Sequence, residues 1–197
     1  MDLGVQLFGV LYNTDRTEEA ALAELKALGY DFVEPCIALD PIPGMEKVFW
    51  PVDSLPERFA LLRRLGLWVS SAHIAAAAPL NTHAETLCAL ADNYGIRAFV
   101  VKTPRDADDC ALHGASIAWL TVADALAAHG ASLLIHNEAA DIAAKRDGKT
   151  LCEHMLDLCQ GRVGLQVDVG WAMAGGEPPL AFLRRNRDLV KSVHFKE

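Results

Sequence analysis

Five glycines recur at one place in a repeated phrase, where a helical pattern stops and an apolar run begins. Gly29 precedes Tyr-Asp-Phe-Val, Gly66 precedes Leu-Trp-Val-Ser, and Gly95 precedes Ile-Arg-Ala-Phe-Val-Val. Gly130 precedes Ala-Ser-Leu-Leu-Ile, and Gly161 precedes Arg-Val-Gly-Leu-Gln-Val. The residue just past a helix often needs a positive φ, which only glycine adopts without strain. The intervals of 37, 29, 35 and 31 residues each hold one helix and one strand. They lack the sequence identity of a solenoid repeat.

The strands read as near-continuous apolar runs of the parallel-sheet type, buried on both faces. They fall at about 3–10, 31–36, 67–73, 96–102, 131–137, 163–169 and 189–195. Ser54 with Glu57, Thr82 with Glu85 and Thr150 with Glu153 have the spacing of capping boxes before apolar stripes. The segment from Asp106 to His129 is expected to break near Gly114, and residues 37–53 to form an elaborated loop. Seven strands alternating with helices allow a doubly wound sheet or a (β/α)8 barrel. Neither a GxGxxG fingerprint nor a phosphate-binding loop is present. The whole chain, 1–197, reads as a single domain.

Composition narrows the function. Hydrophobic residues are 52 % and charged residues 22 %, as in folded enzymes, and the net charge is −8. That balance argues against non-specific binding to nucleic acid or an anionic membrane. No apolar run approaches the roughly 20 residues of a bilayer span. Five cysteines at irregular spacing do not form a disulfide framework, so a reduced, cytoplasmic setting is expected.

In a barrel, chemistry sits at the C-terminal ends of the strands. Tyr12 and Asn13, Glu34 and Cys36, and Ser70, Ser71 and His73 stand at the first three ends. Lys102 and Thr103, then His136, Asn137, Glu138 and Asp141, then Asp168 and Trp171, and finally His194, Lys196 and Glu197 stand at the rest. A carboxylate inside a buried strand costs several kcal/mol unless paired or bound to metal, which singles out Asp168. Asp168, His194 and a carboxylate from the fifth strand would form an N/O ligand set for Mn, Mg, Co, Zn or Fe. Glu34 can equally salt-bridge Lys102. The cysteines read as core residues, and Arg184, Arg185 and Arg187 as a solvated helix face.

The phrases resemble those of the xylose-isomerase-like TIM barrels, the group that includes sugar phosphate isomerases/epimerases and AP-endonuclease-family-2-like proteins. The carriers are Leu3-Gly4-Val5-Gln6-Leu7, Gly29 to Glu34, and Ile135-His136-Asn137-Glu138 with Asp141. Asp168-Val169-Gly170-Trp171 and Val193-His194-Phe195-Lys196-Glu197 complete the set. The resemblance implies one divalent metal ion held by Asp141, Asp168 and His194, with Glu138 as the alternative strand-5 ligand. It implies substrate contacts from Glu34, His73, His136, Asn137 and Trp171, and catalytic roles for Glu138, Asp141 and Lys196. The implied activity is isomerisation or epimerisation of a sugar or polyol by proton transfer next to a carbonyl, through a metal-stabilised enediolate. A sugar-binding barrel that has lost part of the site, or a metal-dependent hydrolase or lyase, are the alternatives. Family members continue through an eighth β/α unit, so about seven units are expected here, with a homodimer covering the open edge.

Overall fold

The computed structural model describes residues 3–104 and 107–196, so Asp106 and Glu197, both named above, lie outside the described residues. The chain divides into two compact units, Met1–Ala78 with Thr86–Phe99, and Pro79–Glu85 with Val100–Glu197.

The first unit runs β1 (Gly4–Gln6), α1 (Leu7–Tyr12), α2 (Glu18–Ala27), β2 (Phe32–Glu34), β3 (Cys36–Ala38) and β4 (Phe49–Pro51). It continues through α3 (Leu55–Leu65), β5 (Ser71–Ala75) and α4 (Ala84–Tyr94) into β6 (Ala98–Lys102). β1 pairs β2, and β3 pairs both β4 and β5, all in parallel. Leu22 and Leu25 of α2, Leu55, Phe59 and Leu62 of α3, and Val33, Ile37 and Trp50 of the strands are buried. Truncating one such leucine to alanine typically costs about 2–5 kcal/mol.

The second unit carries α5 (Asp109–Ala128), β7 (Ser132–His136), α6 (Ala139–Ala143) and a hairpin of β8 (Lys145–Arg146) and β9 (Lys149–Thr150). After these come α7 (Leu151–Leu158), β10 (Gly164–Asp168), α8 (Val169–Ala174), α9 (Pro179–Arg185) and β11 (Val190–His194). β10 lies parallel to β7 on one side and β11 on the other, with Asp168 directly opposite His194. Among the described residues, α5 is long and apolar enough to cross a membrane by length and composition alone. Its Leu112, Trp119, Val122 and Leu126 are buried, and it packs on β7 and α7, as a core helix does.

The fold class is α/β: seven strands form one parallel sheet in the order β11-β10-β7-β6-β5-β3-β4, with β1 and β2 as a separate pair. This is the layout of a (β/α)8-type barrel. All five period glycines have φ between 66° and 95°, as their place after a helix requires.

Several local expectations are corrected. The first strand ends at Gln6 rather than continuing to residue 10, because Gln6 Oε1 accepts the Phe8 N–H and starts α1 there. A short apolar run suits a buried strand and a buried helix equally, so periodicity did not separate them. α5 passes unbroken through Gly114, since one glycine inside a long helix costs only about 1 kcal/mol. Of the three capping boxes, Thr150–Glu153 forms, whereas Ser54 and Thr82 turn their hydroxyls to the Pro51 and Pro79 carbonyls. Residues 37–53 include β3 and β4 rather than loop alone.

Candidate metal centre

Asp168 is the last residue of β10 and the N-cap of α8, and this double position divides the work of its carboxylate. Oδ1 accepts the Trp171 N–H at 2.8 Å, satisfying a donor at the helix start. Oδ2 faces three cationic or metal-ligating groups: Lys196 Nζ at 3.0 Å, His136 Nε2 at 3.5 Å and His194 Nδ1 at 4.0 Å. The main chain of Asp168 is fixed as well. Asn137 donates from Nδ2 to the Asp168 carbonyl at 3.0 Å and accepts the Asp168 N–H on Oδ1 at 2.8 Å.

Burial pushes the Asp168 carboxyl upward, since only 2 % of the residue is exposed. Hydrogen bonds from His136, the Trp171 N–H and Lys196, with the ammonium's charge, outweigh that penalty and hold it down at about 2. The group is therefore a carboxylate at any ordinary pH. The His136 and His194 rings stand 5.2 Å apart between centroids, and their ligand nitrogens lie within 4.8 Å of each other. Two imidazoles and a carboxylate oxygen form a donor set that fits a divalent first-row metal. A histidine-centred cluster compatible with metal binding is thus present among the described residues.

The neighbouring carboxylates have a different environment. Glu138 is the N-cap of α6, and Glu138 and Asp141 each accept the other's backbone N–H in a capping box. Glu138 also pairs with Lys102. Trp171 lies under Lys196, whose Nζ is 3.8 Å from the indole centroid. A cavity of about 700 Å³ is lined by Glu138, Asp141 and Trp171 together with Ala140, Arg146 and Leu151.

In the first unit, Glu34 at the end of β2 accepts the Ser71 hydroxyl at 2.5 Å and lies 3.4 Å from His73 Nε2. Both Glu34 and His73 are buried. Gln6, which the sequence reading did not single out, donates to Cys36 Sγ at 3.3 Å while capping α1. The sequence carried no signal for it, because the apolar run 7–11 that follows hides the end of the strand. His136, which the resemblance implies as a substrate contact, has its Nε2 3.5 Å from Asp168 Oδ2. Arg185, read as part of a solvated face, bonds Glu153 and Glu177.

No family model matches this sequence, and no curated protein does. Solved structures do match. A sugar phosphate isomerase/epimerase from Parabacteroides distasonis is 15% identical over 100% of this chain and 77% of that one, with a TM-score of 0.83. A xylose isomerase-like TIM barrel protein from Mycobacterium smegmatis, in complex with magnesium, is 14% identical over 99% and 74% of the two chains, with a TM-score of 0.69. The 3-keto-D-glucoside 4-epimerase YcjR from E. coli is 17% identical over 100% and 79%, with a TM-score of 0.65. At these identities the likeness establishes the fold, that of the xylose-isomerase-like barrels.

Proposed function

We propose that this protein is a metal-dependent isomerase or epimerase of a sugar or polyol-type substrate, working by proton transfer next to a carbonyl. The observation that carries the reading is Asp168 Oδ2, a buried and ionised oxygen with two imidazoles beside it at adjacent strand ends. Asp168, His136 and His194 would hold the cation, and Asp141 is the strand-5 carboxylate that the resemblance assigns to it. A divalent cation held there would supply positive charge to the substrate oxygens during the proton transfer.

The remaining residues bind the substrate and move protons. Glu138 and Asp141 are the carboxylates for removing and returning the α-proton, from the wall of the cavity that also holds Trp171. The Trp171 indole offers a flat surface to a sugar ring, and Lys196 a donor to a polar substrate group. The resemblance assigns substrate contacts to Glu34 and His73, and the Ser71 hydroxyl orients the Glu34 carboxylate. Asn137 acts through Asp168, because both ends of its amide bond that residue's main chain. The five free cysteines suit a reducing compartment.

One feature favours a second reading, a sugar-binding barrel without turnover: Glu138 and Asp141 are tied to each other's main chain at the start of α6. Metal analysis of the protein after reconstitution with Mn²⁺, Zn²⁺ or Mg²⁺, beside Asp168→Ala, tests the centre. About one equivalent, lost in the variant, is expected for a single-metal site. Solvent deuterium appearing at the α-carbon of a ketose then separates turnover from binding. Equal metal content in the two proteins ends the metalloisomerase reading.

A further inference from the structure

We infer that Lys196 is the resident counter-ion of Asp168 and sets the affinity of the centre for divalent cations, its ammonium competing with the incoming ion for Oδ2. The inference rests on the metal-binding reading above and goes beyond it.

Asp168 and Lys196 differ in their freedom to move. Asp168 is fixed: Oδ1 is committed to the Trp171 N–H, and its main-chain N–H and carbonyl are both committed to Asn137. Lys196 follows the end of β11 and keeps a side chain that is 40 % exposed. Its ammonium can therefore leave for water without disturbing the core, while the carboxylate it pairs with cannot follow. Long lysine side chains commonly lay their stems on the protein and keep the charged head near solvent.

The seat that Lys196 occupies is specific. At Gly170 a Cβ would come within 2.8 Å of Lys196 Cγ and 3.1 Å of its carbonyl oxygen, so the stem passes where only glycine leaves room. The ammonium then rests 3.8 Å from the Trp171 centroid and 3.0 Å from Asp168 Oδ2. Carboxylate and indole face each attract a cation. The same Oδ2 is the oxygen beside the imidazoles of His136 and His194. A second cation arriving there meets a positive charge at the same lone pairs, and the two repel strongly in so buried a place. Loading the centre thus displaces Lys196, which lifts the ammonium from Trp171 and presents it to the adjoining space as a substrate donor.

The test compares wild type with Lys196→Met, Lys196→Arg and Asp168→Ala. Dissociation constants for Zn²⁺ and Mn²⁺ would be measured by competition with a chromogenic chelator. Trp171 emission would be followed with Zn²⁺, as the difference from Trp171→Phe. Removing the charge is expected to tighten binding about tenfold or more, with Lys196→Arg remaining near wild type. Zn²⁺ should change Trp171 emission in wild type and leave it unchanged in Lys196→Met. Equal or weaker binding by Lys196→Met, while wild type still binds through Asp168, overturns the counter-ion role and leaves the metal centre standing. Binding that Asp168→Ala does not weaken overturns both.

Discussion

Asn137 holds Asp168 by both of its main-chain polar groups, the side-chain amide of one residue closing a two-bond ring on the backbone of the other. The parallel ladder between β7 and β10 has Gln166 opposite His136, the last residue of β7. The Asn137 side chain continues the pairing from that point.

Asn137→Ala removes the partners of a buried N–H and a buried carbonyl at once. An unsatisfied buried group costs about 1–3 kcal/mol, so a total loss of about 2–6 kcal/mol is expected in urea denaturation. Metal affinity should fall too, because the ligand's main chain loses its brace. A variant as stable as wild type would show that the clamp is dispensable.

Glu153 predicts an acid limb. Burial raises its carboxyl, but bonds from Arg185, the Thr150 N–H, Asn186 and the Thr150 hydroxyl prevail and bring it to about 2. A carboxyl lowered in the folded state contributes stability that is complete above its unfolded value, near 4.3, and is lost as pH falls through the folded one. The loss therefore runs from about pH 5 to pH 2. Arg185 is half exposed, so solvent screening reduces the contribution to about 1–2 kcal/mol. Denaturation of wild type and Glu153→Gln at pH 7, 5 and 3 should show the wild type converging on the variant as pH falls. Parallel curves would count against the assignment.

Gly175 tests the packing that sets α6 against α8. A Cβ there would lie 2.4 Å from Ile142 Cβ and 2.7 Å from the Ala139 carbonyl, although the backbone has an ordinary right-handed φ of −81°. Gly175→Ala is thus a purely steric insertion and should cost about 1–3 kcal/mol or more. An unchanged melting temperature would contradict that contact.

Thiol labelling reads burial directly. Cys110 is exposed and Cys88 partly so, while Cys36, Cys152 and Cys159 are buried. Burial pushes the thiols of Cys152 and Cys159 up, the latter to about 11. An aromatic disulfide reagent at pH 8 should modify Cys110 first and reach Cys152 and Cys159 only on unfolding. Rapid reaction of three or more thiols in the native protein would refute this arrangement.

The larger plan of the chain was legible because its signals are local. A glycine after a helix, an apolar run and a polar strand end each lie within a few residues of one another, and the five junctions and the placement of Asp168 and His194 followed from them. What escaped depends on partners distant in sequence. Glu153 meets Arg185 across 32 residues, and Asn137 meets Asp168 across 31. Neither pairing has a spacing rule. The helix at Leu7–Tyr12 escaped for another reason: an apolar hexamer has no period long enough to show its geometry.

The five left-handed glycines also bear on how the chain acquires order. Each follows the end of one helix, joined at Gly161 by Gln160 with a φ of 54°, and the next strand begins two to five positions on. Reversals encoded this way need no distant segment to be in place first, and neighbouring strands about thirty residues apart keep the loops to be closed short. The polypeptide can therefore assemble by successive accretion of strand–helix modules.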